Sequence, residues 1–334
     1  MNSSRKLSQN VTRLLQVINR DERWLIVINA DPDAMASAMA LRRIMAHRAG
    51  AVGIAHVNEM KRPDNLAMMR FLHIPTVMLT PEMLAGYQRF AMVDSQPHHH
   101  PAFQGIDWSL VIDHHPILPE HPVTAPFVDI RPDYGATSSI LTGYLLNLGI
   151  RPGKLLATAL VYGIKADTLS FERHFIEADV KAFSALTRFA DMQLLRKIIS
   201  SEYHRRWLKF FSKAFRKMRF IGTRGLFVFM DTLESPDILV ILADFFTKVH
   251  GLSWNMLAAV VKKKVVVIFR GDGVGRNMGI MAQKLFADVG SAGGHRGAAR
   301  AEIDLAALHG KDPEEFLYKR LTGRKIPVKE HCPI

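Results

Sequence analysis

Short apolar runs recur along the first third of the chain: WLIVI at 24–28, AVGIAHV at 51–57, TVML at 76–79, FAMV at 90–93 and SLVI at 109–112. Between them the apolar positions take helical spacing. Unbroken apolar runs suit strands buried on both faces, and their alternation with helices predicts a parallel sheet. The pattern therefore predicts an α/β chain of two domains, the first a mostly parallel sheet with helices on both faces. A basic helical stretch with aromatics interleaved, LLRKIISSEYHRRWLKFFSKAFRKMRF, follows. A second β-rich pattern then opens near 220 with FIGTRGLFVFM and continues through NMLAAVVKKKVVVIFR and SAGGHRGAARAEIDL, with helices between, predicting a smaller C-terminal α/β domain. The expected boundaries are 1–180, a connector at 181–218, and 219–334.

Most of the early strands run into something polar and reactive. The first leads to Asp31 and Asp33, the fourth to Asp94, and the fifth to Asp113, His114 and His115; a later helical segment, ALVYGIKADT, delivers Asp167. In an open parallel sheet these residues gather along one carboxyl edge, where ligands bind. Taken singly, each aspartate is explained as a helix cap, as Asp31 or Asp33 would be for a helix beginning near Met35. As a set they demand more, because crowded carboxylates repel unless protonated or bridged by a cation. Carboxylate with imidazole suits Mn²⁺ or a similar divalent ion. A pair of such ions can activate water and offset charge on a phosphoryl group.

Composition adds limits. With 334 residues, 48% apolar and 22% charged, the chain can bury two cores of ordinary size. Cys332 is the single cysteine, so neither disulfides nor a thiolate metal site organises the fold. The N-terminus lacks a signal-type apolar core, and the most apolar later segment is split by three lysines, which together predict a cytoplasmic protein with no membrane span. The net charge of +13 is uneven: residues 1–175 carry 17 basic and 15 acidic side chains, residues 176–334 carry 27 and 16. Such an excess fits either a phosphate-rich partner or a solvated basic face.

NADPDAMAS, MVDS, VIDHHP, YGATSSIL, GIKADT and GGHRGAA occur in the order and spacing of the DHH phosphoesterase superfamily. The chain most resembles its branch of short-oligonucleotide and nucleotide hydrolases, the NrnA-type oligoribonucleases. The resemblance covers most of the chain. It implies two Mn²⁺ ions at the sheet edge of the first domain and a substrate cleft between that domain and a C-terminal DHH-associated one. Asp94 matches the carboxylate that bridges the ions. Asp33, His114 and Asp167 match the other ligands of one ion, and Asp31 a ligand of the second. His115 matches a residue that donates to a phosphate oxygen, and Asp113 one that orients the histidines, so the implied catalytic group is Asp94, His114, His115 and Asp113.

The second ion's usual histidine is absent, since Val27 stands at its position and valine cannot bind a metal. Three readings stand: Asn29 lends its carbonyl as a weak ligand, the ion binds only with substrate phosphate, or hydrolysis is lost and a nucleotide-binding role kept. Neighbouring His98, His99 and His100 read as a surface loop between prolines, from which one imidazole could reach the impaired site. In the second domain Gly293, Gly294 and His295 match the nucleotide-binding motif of the resemblance, with Arg270 reaching a terminal phosphate. Arg300 departs from the family's closing Ala-Ala-Gly. The turn at 135–139 could offer amides to phosphate or serve only as a cap. Tyr203, Trp207, Phe210 and Phe211 resemble a stacking surface, although helical spacing favours a core role. The expected partners are short RNA or DNA oligonucleotides or phosphorylated nucleotides, with a homodimer as a further assembly.

Overall fold

The computed structural model describes residues 2–201, 203–324 and 326; Cys332 lies outside them. The chain divides into two compact units, Met1–Tyr203 and His204–Ile334.

The first unit is built on six parallel strands: β1 Arg23–Ile28, β2 Ala51–His56, β3 Thr76–Met78, β4 Arg89–Val93, β5 Trp108–Asp113 and β6 Phe127–Ile130. Their order in the sheet is β3-β2-β1-β4-β5-β6. The apolar runs decide the layering. On β1, Trp24, Ile26 and Ile28 face one core, which α1 (Asn2–Val17), α2 (Pro32–Met45), α3 (Pro63–Phe71), α5 (Thr137–Asn147) and α6 (Lys154–Asp167) complete. Leu25 and Val27, one residue out of phase, face a thinner layer. That face is covered by the short α4 (Pro81–Ala85), the turn Pro101–Phe103 and loops. The sheet is flanked on both faces, with nearly all the helical mass on one.

The stretch read as a connector is shared between the units. Helices α7 (Glu177–Thr187) and α8 (Met192–Ile199) bury Ala182, Leu186, Leu195 and Ile198 in the first core. Helix α9 (Leu208–Lys217) buries Ala214 in the second unit, where Trp207, Phe210 and Phe211 are half-buried against the same core. Three of the four interleaved aromatics therefore pack as helical spacing favours; Tyr203 is exposed.

The second unit is a mixed sheet of order β11-β12-β10-β9-β8-β7. Its strands are β7 Arg219–Ile221, β8 Gly225–Leu233, β9 Trp254–Val261, β10 Lys264–Gly271, β11 Gly290–Gly294 and β12 Ala298–Asp304. Helices α9 and α10 (Asp237–Thr247) cover one face, and α11 (Met278–Phe286) and α12 (Pro313–Thr322) the other. The lysines that split the most apolar segment make its hairpin turn: Val261 pairs with Lys264, and Lys262 takes φ 55°. No helix among the described residues is long and apolar enough to cross a membrane.

Candidate metal centre

The strand order reverses between β1 and β4, so the loops leaving these neighbours diverge and open a crevice at their carboxyl ends. Asp31 and Asp33 leave β1, Asp94 leaves β4, and the Asp113–His115 run ends β5 beside it. Helix α6 brings Asp167 on its last turn.

Each side chain is held from behind. The two oxygens of Asp33 accept the N–H groups of Thr137 (2.6 Å) and Ser138 (2.8 Å), so Asp33 caps the start of α5 from another helix. Asp94 sits at φ 60°, a left-handed conformation that aspartate tolerates better than most residues, and accepts from Thr137 Oγ1 at 2.8 Å. His114 Nδ1 lies 3.1 Å from the Tyr134 carbonyl, which can only accept, so this nitrogen carries the proton. The opposite nitrogen, Nε2, is buried and lies 2.9 Å from Asp167 Oδ2 and 3.6 Å from Asp94 Oδ1. Asp33, His114 and Asp167 offer ligand atoms within 4.8 Å of one another, as do Asp94, His114 and His115.

This crowding controls the protonation. Burial, then the charges of Asp33, Asp31 and Asp167, lifts Asp94 well above the usual carboxylate range. Burial and Asp167 raise Asp33 as well, against the opposing pull of His114 and Ser138. Burial lowers His114, but its contact with Asp167 and the charges of Asp33 and Asp167 prevail and raise it to about 9. Without a cation, protons must neutralise the cluster.

Asp31 takes a different place. Its Oδ1 caps α2 through the Ala34 N–H at 2.9 Å, and it joins none of the ligand groups found among the described residues. Burial and the charge of Asp167 still raise it to about 7. Val27 is fully buried among Leu25, Ala55, Met92 and Val111. No imidazole comes from β1.

Asp113 is fully buried and accepts from His115 Nδ1, from the His114 N–H (each 2.8 Å) and from Gln96 Nε2 (2.8 Å). These hydrogen bonds outweigh burial and lower its pKa, while the same contact with Asp113 raises that of His115. His99 lies beside this pair, offering a ligand atom within 4.8 Å of Asp113 and His115. His100 instead caps the turn Pro101–Phe103 through Nδ1.

Of the two readings of the turn at 135–139, phosphate site or cap, the start of α5 takes the cap. Its first amides go to Asp33, and the Gly135 N–H goes to Asp179 Oδ2 at 2.9 Å, so an intramolecular carboxylate occupies each donor. Asp179 is fully buried and also accepts from Ile176 N–H, tying this turn to α7. Asp179, Gln96 and Gly163 escaped sequence reasoning, which reached Thr137 only as part of the turn at 135–139. Only Gly163 carried a signal, since it lies four residues before Asp167 on the same helix face.

In the second unit, Arg270 Nε donates to Asp244 Oδ1 at 2.6 Å. Gly294, at φ 145°, is required because a Cβ would overlap the Ala298 carbonyl and Ala299; a Cβ on Gly293 would meet nothing within 4 Å. His295 is exposed, with its backbone N–H on Ala298 O at 2.7 Å. Arg300 pairs across from Gly293 and reaches Glu302 at 2.7 Å along its own strand.

Residues 23–164 match the family model described as "DHH family, N-terminal domain". The chain is 31% identical over 302 residues to the uncharacterized protein MJ1633 of Methanocaldococcus jannaschii, covering 90% of this chain and 62% of that protein. It thus spans less than two thirds of that relative's length. An exopolyphosphatase-related protein of Bacteroides fragilis has a similar fold, with TM-score 0.70 at 14% identity over 96% of this chain and 98% of that one.

Proposed function

Through residues 23–164 the chain belongs to the DHH family, and on that premise we propose that it is a metal-dependent phosphoester hydrolase of short oligonucleotides and phosphorylated nucleotides. Dinucleotides, 3′-phosphoadenosine 5′-phosphate and cyclic or linear dinucleotides are the substrates this reading favours. The observation that carries it is the buried His114 Nε2, turned to the carboxylates of Asp94 and Asp167. A buried imidazole nitrogen beside crowded carboxylates, which only protons neutralise when no cation is bound, fits a divalent cation, with Mn²⁺ our choice. Asp33, Asp94, His114 and Asp167 would hold it, and Asp94 would bridge to a second ion held with Asp31. Bound there, such a cation would supply Lewis acidity and countercharge to a phosphoryl group.

The chain's own groups do the rest. His115 keeps Nδ1 on Asp113, which leaves Nε2 to donate to a phosphate oxygen. Asp113 positions both histidines. Arg270, Gly293, Gly294 and His295 are our proposed nucleotide contacts; the open space above Gly293 and the exposure of His295 favour them. Arg270 would have to share itself with Asp244. In the reaction water loses a proton as it forms the new P–O bond, the ester P–O bond breaks, and the departing oxygen takes a proton in its place.

A second reading, a nucleotide-binding protein without turnover, is favoured by one observation: the apolar burial of Val27 where the family has a ligand. One assay separates the two. The purified chain is incubated with Mn²⁺ or with a chelator on 5′-phosphorylated dinucleotides, 3′-phosphoadenosine 5′-phosphate and cyclic dinucleotides, and products are separated by chromatography. Hydrolysis is expected with Mn²⁺ alone and should vanish in Asp94→Ala. Binding without product at every metal concentration would instead establish the second reading, and turnover unchanged in Asp94→Ala would overturn the metal assignment.

A further inference from the structure

The loop leaving β4 runs Ser-Gln-Pro-His-His-His, and its rings continue outward from the metal centre. Successive ring centroids lie 4.4 Å apart from His114 to His115, 5.3 Å from His115 to His99, 4.4 Å from His99 to His98 and 4.6 Å from His98 to His121. The row passes from His114, whose side chain is 13% exposed, to the exposed His99 and His121. Five imidazoles in one line call for a ligand or a role.

Gln96 fixes the orientation of the two in the middle. It is fully buried, and its Nε2 donates to Asp113 Oδ2 (2.8 Å) and the His115 carbonyl (3.0 Å). Its backbone N–H donates to His99 Nδ1 at 3.2 Å. A backbone N–H has no lone pair to offer, so Nδ1 of His99 is the acceptor and the neutral ring carries its proton on Nε2. His115 is the mirror case, with Nδ1 donating to Asp113 and Nε2 left over.

Two ligand types are conceivable at His99, Asp113 and His115. A cation would need Asp113, yet three donors already take all but about one of the acceptor sites of its buried carboxylate. It would also need a lone pair on His99 Nε2, which the bond to Gln96 assigns to Nδ1. His115 Nε2 keeps a lone pair while its ring is neutral, but the exposed His99 Nε2 has only an N–H to give, which suits an anion and not a cation.

We propose that His99 joins His115 as a phosphate-binding pair for the phosphoryl group next to the one cleaved, so that the preferred ligand carries two or more phosphoryl groups along one chain. This rests on the functional reading above for which group is cleaved, but not for the anion site itself. His98 braces His99 edge-on and stacks on His121, which keeps the ring from swinging away. A phosphorylated oligonucleotide and an inorganic polyphosphate share the chemistry.

The test uses the full chain without metal and reads binding by calorimetry, with tripolyphosphate, a 5′-phosphorylated dinucleotide and inorganic phosphate as probes. A single hydrogen bond to an anion corresponds to roughly a ten- to hundredfold change in affinity. His99→Ala should weaken both longer ligands by about that factor, leave inorganic phosphate unchanged, and leave Mn²⁺ affinity unchanged. His99→Gln, which keeps an N–H donor, should recover most of the loss. A loss for only one longer ligand supports the site and assigns its source. Equal affinities in wild type and both variants, or weaker Mn²⁺ binding by His99→Ala in a separate titration, would overturn the proposal. Anion binding through His99 with no turnover of any substrate would retire the hydrolase reading and leave this site in place.

Discussion

His114 shows how one hydrogen bond sets the chemistry of a residue. Because Nδ1 is held by the Tyr134 carbonyl, Nε2 must face the carboxylates, and protons and cations compete for the same cluster. Asp31 and His114 are raised to about 7 and about 9, so the metal-free folded state binds more protons than the unfolded chain between roughly pH 4 and pH 9. Their contribution is therefore greatest at low pH and is lost as pH rises through those values. In chelator the melting temperature should fall between pH 5 and pH 9, and Mn²⁺ should remove much of that fall while releasing protons; identical profiles with and without Mn²⁺ would contradict the site. Val27 tests the second ion. In Val27→His an imidazole enters an apolar layer, so metal-free stability should drop by about 1–3 kcal/mol. If the ring reaches the crevice, Mn²⁺ should restore the melting temperature and raise turnover; a loss that no metal reverses would show that this position cannot serve as a ligand here.

At the scale of elements, the centre depends on how closely α2, α5 and α6 approach. Gly163 permits this: a Cβ there would lie 2.5 Å from Ser138 Oγ and 3.2 Å from Asp33 Oδ1. Asp167 follows one turn later on the same face. Gly163→Ala should destabilise the chain by about 1–3 kcal/mol and weaken Mn²⁺ binding, measured by denaturation and calorimetry; a variant with unchanged metal affinity would show that α6 has slack. The strands were largely legible because buried parallel strands are written as apolar runs. Strand β6 was not, since four residues of alternating burial at a sheet edge give too short a pattern. The turn before α5 was legible as a cap but not in its partner, because Asp33 lies 104 residues from Thr137.

For the whole molecule, the uneven charge is the broadest sequence signal, with the excess falling after residue 175. If that excess meets phosphate, affinity for a short oligonucleotide should fall with salt, with slope about −0.7 per phosphate neutralised. A titration from low to physiological salt checks this, and a flat response would assign the basic residues to solvent. The basic stretch at 181–218 illustrates the limit of such reading. Composition set it apart, but its helices divide between two cores because apolar spacing on each helix, not overall charge, selects the packing partner.

Local periodicity and residue identity are enough to read the α/β class, the strand-end positions of Asp31, Asp33, Asp94 and Asp113–His115, and the absence of a histidine at Val27. Which of those groups meet is a property of the folded chain. It placed Asp33, Asp94, His114 and Asp167 together, left Asp31 capping α2, gave the α5 amides to Asp33, and joined His99 to His115 through Gln96. Those outcomes depend on strand order, helix approach and hydrogen bonds between residues far apart in the chain, and no local pattern encodes them.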